Sequence, residues 1–267
     1  MTRLQLRKYQ ALGNDYLVLD LPADLGTVLP LVPRLCDRHL GVGADGLLTF
    51  DPAELRVRVF NPDGSEAEKS GNGLRIAAAH AVLEHGAGDA FDLRTQDRAN
   101  AVRIRRRLGG TVVSELDLGP PRFEPDEWVL LDTPVGTARC RLVDVGNPHC
   151  VVIGEEVSEA RCRELGPHLE RHPRFPHRTN VQLAAPAGDD AARCEIWERG
   201  AGYTLASGSS ASAVAAVMIR LGLTGRRLRV EMPGGSLEVR QGGDGHLLQE
   251  GPASRVHRAE VDLADLG

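Results

Sequence analysis

Two serines, half a chain apart, occupy matching positions in two similar glycine-bearing loops. The first loop runs from Val59 to Gly73 and carries Ser70-Gly71, and the second runs from Ile196 to Ser210 and carries Ser207-Gly208. A shift of 137 positions superimposes Ser70 on Ser207, in a chain of 267 residues. This repeat predicts a duplicated fold with a pseudo-two-fold axis and one site to which both halves contribute.

Each serine follows an apolar, strand-like run and a glycine turn, and each precedes an alanine-rich segment of helical composition. Because serine is a preferred N-cap residue, Ser70 and Ser207 are predicted to begin helices. The free amides and the macrodipole at a helix start favour anions, so two such starts would hold a carboxylate between two hydroxyls. In the alternative interpretation each serine is only a cap. The matched pair and its matched flanks favour a site.

The bulk composition excludes several classes of protein. Apolar residues make up 42% of the chain, which is ordinary for a soluble globular protein, and the net charge of −5 argues against a general nucleic-acid binder. Five cysteines without a C-x-x-C pair predict neither a disulfide framework nor a zinc site, so we expect no metal. Residues 1–16 lack the apolar core of a signal peptide, and no apolar run is long enough for a bilayer. We therefore expect a cytoplasmic protein without membrane or nucleic-acid partners.

The order of predicted elements indicates an α+β fold of two halves, each a sheet wrapped around a helix. We expect an N-terminal half at 1–115, a C-terminal half at 116–253, and a tail at 254–267 that packs on the N-terminal half. Strands are predicted at 4–9, 16–20, 47–50, 55–60, 91–94, 101–108, 111–118, 129–131, 135–145, 150–153, 180–184, 194–197, 227–232, 235–240 and 246–249. Besides the two serine-capped helices, helices are predicted at 30–37 and 159–169.

The chain resembles the diaminopimelate epimerase family over essentially its full length. The resemblance rests on Ala11–Tyr16, Cys36–His39, Gly41–Gly46, Asn61–Arg75, Gly146–Cys150, Thr179–Gln182 and Glu198–Gly202. It implies two pseudo-symmetric halves, each a β-sheet rolled around a central helix, with the active site in the cleft between them. It also implies cofactor-independent inversion of LL- and meso-diaminopimelate for lysine and peptidoglycan biosynthesis, a small-molecule amino-acid substrate, and allows a homodimer.

The resemblance also implies roles for individual residues. The catalytic positions are Ser70, Ser207, His149 and Glu198, and the substrate-binding positions are Asn14, Asn61, Gly71, Asn72, Gly73, Asn147, Asn180, Arg199, Gly208 and Ser209. Arg199 would pair with the distal carboxylate, a bidentate task that suits a guanidinium. Glu198 would pair with an ammonium, and His149 and Glu198 would help to set the protonation of the two catalytic groups.

The chain departs from the family pattern where the chemistry occurs. Ser70 and Ser207 stand where the family has cysteine, Tyr203 stands where glutamate is usual, and Ser209-Ser210 replaces Thr-Gly or Ser-Gly. A thiol has a pKa near ~8.5, whereas an alcohol needs an adjacent base before it can remove a proton. The remaining cysteines near the motifs, Cys150 and Cys194, are predicted to be small buried apolar residues.

Three functions stay open at this level. The first is an epimerase or racemase of a polar amino acid, with the two serines as paired acid and base. The second is an enzyme of the same fold that performs an elimination or a proton shift on a substrate with a more acidic proton. The third is a protein that binds an amino acid without turnover, either a natural homologue or a Cys-to-Ser variant.

Overall fold

The computed structural model describes residues 3–66, 70–96, 99–154 and 156–266. Residues 67–69 of the first serine loop lie outside the described residues. The chain divides into two compact units: Met1–Leu116 with Gly251–Gly267, and Asp117–Glu250. Among the helices of the described residues, none has both the length and the apolar character that a bilayer span requires.

The described elements are numbered in chain order. The strands are β1 (Arg3–Ala11), β2 (Asn14–Asp20), β3 (Leu47–Asp51), β4 (Arg56–Phe60), β5 (Ala90–Arg94), β6 (Ala99–Leu108), β7 (Thr111–Asp117), β8 (Val129–Thr133), β9 (Gly136–Asp144), β10 (Pro148–Ile153), β11 (Asn180–Pro186), β12 (Ala191–Glu198), β13 (Gly202–Thr204), β14 (Arg227–Met232), β15 (Gly235–Gln241) and β16 (Leu247–Asp262). The helices are α1 (Leu25–Val28), α2 (Val32–Cys36), α3 (Gly71–His85), α4 (Glu159–Glu170) and α5 (Gly208–Arg220), with 3-10 turns at Leu29–Leu31 and Leu263–Leu266.

The first unit is a ring of strands around α3. Its order is β1-β2-β3-β4-β5-β6-β7-β16, and antiparallel pairing of β16 with β1 closes the ring. Helix α3 packs against β1 to β5, and its residues 72–82 are all buried. A helix that is buried all round needs small or apolar side chains on every face, which the alanine-rich sequence supplies. The serine loop therefore leads into the centre of this unit.

The first unit also has an outer layer made by α1 and α2. Leu17 and Leu19 of β2 pack there, together with Val32 and Leu35 of α2. The single helix predicted over 30–37 is wrong, because the segment is a 3-10 turn followed by the short α2. Pro30 and Pro33 each lack an amide hydrogen, so a continuous α-helical hydrogen-bond ladder cannot form across them.

The second unit wraps a sheet around α5 and covers its other face with α4. Its order is β16-β15-β14-β12-β11-β10-β9-β8, with β13 on β12, and residues 247–250 of β16 pair with β15. Alternation along β11 shows the two faces: Val181 and Leu183 join the core that contains α4 residues, whereas Gln182 hydrogen-bonds Ser210 of α5. Each unit is thus a sheet around a serine-capped helix, and the predicted α+β class is confirmed.

Strand β16 shows where the sequence pattern fails. The prediction ended at residue 249, but the strand continues to Asp262. Most of residues 254–261 are polar or partly exposed, so the period-two apolar pattern is missing there. The strand conformation of this segment comes instead from its pairing with β1, which runs from Arg3↔Asp262 to Gln10↔Ser254.

Candidate active site

Ser70 and Ser207 both cap helices, as predicted. Each has extended backbone, and the side-chain oxygen of each accepts a hydrogen bond from the amide three residues later. The Oγ of Ser70 lies 2.9 Å from the nitrogen of Gly73. The Oγ of Ser207 lies 3.4 Å from the nitrogen of Ser210, which is a weaker capping bond. Both hydroxyls therefore lie at the positive end of a central helix.

Ser207 lies close to Glu198, a half-buried carboxylate at the end of β12. The hydroxyl of Thr204 donates a hydrogen bond to Glu198 at 3.5 Å, and the hydroxyl of Ser207 also interacts with this carboxylate. Burial raises the pKa of Glu198 by more than these two hydroxyls lower it.

A second chain of polar groups reaches the same helix start through His149, a fully buried residue of β10. Its Nε2 lies 3.0 Å from Oδ1 of Asn147, and Nδ2 of Asn147 donates to the hydroxyl of Ser209 at 3.5 Å. The hydroxyls of Ser209 and Ser207 are 3.4 Å apart. The structure therefore brings together, around the first turn of α5, the predicted residues Asn147, His149, Glu198, Ser207 and Ser209.

The Glu198–Gly200 segment after β12 is held by buried polar side chains. Glu170 at the end of α4 accepts hydrogen bonds from Nε1 of Trp197 at 2.8 Å and from the amide of Gly200 at 2.9 Å. Asn180 accepts from the amide of Arg199 at 3.0 Å and donates to the carbonyl of Pro148 at 3.0 Å. Asn180 thus positions the backbone that carries the predicted binding residue Arg199.

A glycine in α4 lets Trp197 approach. A Cβ at Gly166 would lie 2.6 Å from Cγ of Trp197 and 2.7 Å from its Cβ, closer than side chains can pack. The missing side chain therefore sets the distance between α4 and β12. That distance in turn allows Glu170 to reach Trp197.

In the first unit, the start of α3 is tied to the β1–β2 turn. Nδ2 of Asn72 donates to Oδ1 of Asn14 at 3.0 Å, and Nδ2 of Asn14 donates to Asp45 at 2.8 Å. The fully buried Arg75 donates to Oδ1 of Asn72 at 2.5 Å. Burial lowers the pKa of Arg75 to about 10, so its guanidinium stays charged at neutral pH. A buried cation therefore fixes the amide orientation of Asn72.

Ion pairs stabilise the loops that carry Asn14 and Asp45. Arg38 lies 2.6 Å from Asp15 and 2.7 Å from Asp45, and Lys8 lies 2.7 Å from Asp15. Burial raises the pKa of the Asp15 carboxyl, but hydrogen bonds and charges from Arg38 and Lys8 bring it down to about 2. Asp15 is therefore an ionised acceptor, and Asp15 and Asp45 together hold the loop carrying Asn14.

Some of these supporting residues were missed by the sequence reasoning. Arg38, Asp45 and Arg75 lie within matched motifs, so the motifs could have indicated them. Glu170 lies in none of the motifs, and only the fold brings it to the loop after β12. Support of this kind comes from tertiary contacts that no local pattern encodes.

The predicted binding residue Asn61, and Tyr203 at a departure from the family pattern, do not take part in these groups within the described residues. Asn61 bonds within its own turn, where Nδ2 donates to the hydroxyl of Ser65 at 3.0 Å. Tyr203 donates its hydroxyl to Glu195 at 2.7 Å, and the guanidinium of Arg163 lies 4.3 Å from its ring centre. The hydroxyl of Tyr203 is thus engaged by Glu195 rather than by Ser207.

The remaining cysteines near the site are buried, as predicted. Cys150 is fully buried and Cys194 is almost so. A hydrogen bond with Cys140 and burial raise the pKa of the Cys150 thiol, and burial raises that of Cys194. Neither thiol is therefore available as a thiolate near neutral pH.

Solved structures that include epimerases share this fold. A predicted epimerase from Pseudomonas aeruginosa matches with a TM-score of 0.71 at 19% identity, covering 97% of this chain and 99% of that one. A hydroxyproline epimerase from Agrobacterium vitis matches with a TM-score of 0.70 at 17% identity, covering 99% and 95%. A phenazine biosynthesis protein of the PhzF family from Bacillus anthracis reaches 0.74 at 15% identity, covering 98% and 100%.

Sequence comparison then gives the family. The profile of diaminopimelate epimerase matches residues 6–122 and 141–256. Diaminopimelate epimerase 2 of Nostoc sp. (strain PCC 7120) is 38% identical, over 97% of this chain and 95% of that protein. The diaminopimelate epimerase of Azotobacter vinelandii is also 38% identical, over 97% and 99%. The chain belongs to the diaminopimelate epimerase family and is an enzyme of the isomerase class.

Proposed function

We propose that this protein epimerises the α-carbon of diaminopimelate without a cofactor, with Ser70 and Ser207 in the two catalytic positions. One group removes the α-proton and the other returns a proton on the opposite face, so the configuration inverts. Family membership supports the reaction class, and relatives of similar length carry the name diaminopimelate epimerase. The proposal uses the same two positions that carry cysteine in the family.

The observation that carries the proposal is the closeness of the Ser207 hydroxyl to the Glu198 carboxylate. An alcohol becomes a useful base only when a neighbour takes its proton. Because burial raises the pKa of Glu198, this carboxylate is a stronger proton acceptor than an exposed glutamate. In the proposed step, Glu198 accepts the Ser207 proton as Ser207 removes the α-proton, and the transfers reverse when Ser207 acts as the acid.

Ser70 is assigned the second catalytic position from the repeat and from its place at the start of α3. Its oxygen accepts the amide hydrogen of Gly73, and the helix dipole stabilises developing negative charge on that oxygen. Ser70 therefore suits the acid role, returning a proton to the α-carbon. The ordered pair Asn72 and Asn14 presents amide groups beside it.

Substrate binding is assigned to groups that the fold already positions. The first-turn amides of α5 at Gly208 and Ser209 suit the α-carboxylate, since helix starts bind anions. Arg199, whose backbone is held by Asn180, is assigned the distal carboxylate. Asn147, Asn61 and Gly71–Gly73 complete the proposed binding positions, and His149 orients Asn147.

Serine in place of cysteine at the two catalytic positions also favours a second function. Serine is a weaker base than a thiolate, and the buried Cys150 and Cys194 supply no substitute. These facts favour a substrate whose carbon-bound proton is more acidic than that of an ordinary amino acid. The reaction would then be a proton shift or an elimination by the same serines.

Conversion of LL- to meso-diaminopimelate, followed by chiral chromatography, tests the proposal. Wild type and Ser158→Ala are expected to convert, whereas Ser70→Ala and Ser207→Ala are expected to lose conversion. Ser158 is a matched control because it caps α4 with the same side-chain bond, to the amide of Arg161 at 3.2 Å. Equal rates in all four proteins would contradict the assignment of the serines. No conversion by wild type, with turnover of an activated analogue, would replace the first function by the second.

A further inference from the structure

Three side chains with metal-binding donor atoms converge in the first unit, away from the first turn of α3. Asp20 ends β2, and His80 and His85 lie in the second half of α3. Oδ1 of Asp20 lies 2.7 Å from Nε2 of His80 and 3.0 Å from Nε2 of His85. One donor atom from each of the three residues lies within 4.8 Å of the others.

We propose that Asp20, His80 and His85 bind one divalent transition-metal ion, with Zn²⁺ the ion best matched to the donors. Two imidazoles and one carboxylate form a ligand set that zinc accepts in a four-coordinate site, leaving one position for water. Bonds of about 2.0–2.2 Å around one ion place ligand atoms roughly 3.4 Å apart in a tetrahedron. Small side-chain movements would open the observed distances to that separation.

The surroundings hold the imidazoles in a binding orientation. His80 is fully buried, and its Nδ1 lies 3.2 Å from the hydroxyl of Tyr9. A hydrogen on Nδ1 directed at the Tyr9 oxygen leaves the lone pair of Nε2 for an ion, the arrangement common around metal-bound histidines. The ring of Phe50 stacks on His85 at 5.5 Å and meets His80 edge-on at 5.1 Å. These contacts reduce the reorganisation that binding requires.

An ion can reach the group from solvent. The side chains of Asp20 and His85 are 26% and 25% exposed, while His80 closes the inner side. Asp20 also lines a cavity of about 430 Å³ with Leu19, Pro22 and Thr27. The exposed edges of Asp20 and His85 supply the solvent access that a metal site needs.

A bound ion would fasten the end of β2 to α3. Since an ion that binds only the folded chain stabilises it by mass action, the expected effect is a higher melting temperature. The site would therefore reinforce the helix whose first turn carries Ser70. This inference is independent of the proposed reaction.

Titration of the chelator-treated full chain with Co²⁺ alone tests the proposal. We expect one Co²⁺ per chain by elemental analysis and visible d–d absorption typical of low coordination number, abolished when Zn²⁺ competes. His85→Ala, at a partly exposed position, is expected to weaken Co²⁺ affinity at least 100-fold. Asp20→Asn should act in the same direction.

His246→Ala is the matched control. His246 forms a histidine–aspartate pair with Asp117, at 3.0 Å, without a second imidazole. Its removal should leave the Co²⁺ spectrum and affinity unchanged, and Zn²⁺ should still raise the melting temperature. Zn²⁺ should give no such rise in His85→Ala. Equal Co²⁺ affinity in wild type, His85→Ala and His246→Ala, or no binding by wild type, would overturn the proposal and leave a hydrogen-bonded Asp–His–His cluster.

Discussion

Replacing Glu198 by glutamine isolates its proposed role as the proton acceptor for Ser207. Glutamine has nearly the same shape, and its amide oxygen can still accept the hydrogen bond from Thr204. It cannot take a proton. A positioned general base contributes about 10²- to 10⁴-fold, which corresponds to about 2.7–5.4 kcal/mol of transition-state stabilisation. We expect a loss within that range, because the Glu198 carboxylate lies beside the Ser207 hydroxyl whose proton it is proposed to accept.

The pH dependence follows from the raised pKa of Glu198. The carboxylate serves as a base only when ionised, so the rate should fall as pH drops through a pKa that burial has raised above 4.5. Glu198→Gln should remove this acid limb. A raised folded-state pKa also means that ionised Glu198 destabilises the fold at neutral pH, and that this penalty disappears below the unfolded pKa. Glu198→Gln should therefore raise the melting temperature at neutral pH and have no such effect below pH 4.5.

The assay is the initial rate of epimerisation as a function of pH, with melting curves of the same samples. Glu195→Gln is the matched control, because it removes the same charge from the same strand. Glu195 accepts its hydrogen bond from Tyr203, whereas Glu198 lies beside Ser207. The control should keep the rate and its acid limb. A Glu198→Gln rate within a factor of two or three of wild type would refute the assignment of Glu198 as base.

Four further perturbations test other parts of the account. Arg199→Ala should weaken calorimetric binding of diaminopimelate and leave binding of a monocarboxylic diamine of similar length unchanged; equal losses for both would contradict the distal-carboxylate assignment. The double variant Ser70→Cys with Ser207→Cys should raise the epimerisation rate by orders of magnitude, and no gain would show that the geometry no longer suits the family reaction. Ser70→Ala should lower the free energy of unfolding by about 1 kcal/mol and Ser207→Ala by less, since their capping bonds are 2.9 and 3.4 Å; denaturant melts showing the reverse order would count against this. Gly166→Ala should destabilise the fold by about 1–3 kcal/mol and shift the fluorescence of Trp197, and an unchanged spectrum would mean that α4 yields without disturbing that ring.

Much of the fold is readable because its strongest signals are local. The glycine turns, the serine caps and the alanine-rich segments mark α3 and α5, and the structure confirms both helices and both caps. The failures occur where local signals conflict or vanish. Pro30 and Pro33 interrupt an otherwise helical segment, and the polar end of β16 becomes a strand only by pairing with β1.

The candidate site likewise contains residues that the sequence indicates and residues that only the fold brings in. Glu198 and Asn147 could be indicated from sequence because they lie in short motifs whose order matches the family, and Ser207 could be indicated because it lies in the internal repeat. The partners that hold those motifs could not, since Glu170 lies about thirty positions before Gly200 and meets it only through the packing of α4 on β12. The expectation of no metal rested on cysteine spacing and stays a prediction. Asp20 and His80 come from distant parts of the chain and meet only in the folded unit, so their proximity could not be read from that spacing.

The most direct test of the central claim is exchange of the α-proton of diaminopimelate in heavy water. The protein would be incubated with the LL and meso isomers, the α-proton followed by NMR, and the configuration of the product determined. The account predicts loss of the α-proton signal together with inversion, from either isomer. Binding of the substrate by calorimetry in the same samples, with the α-proton retained, would contradict it.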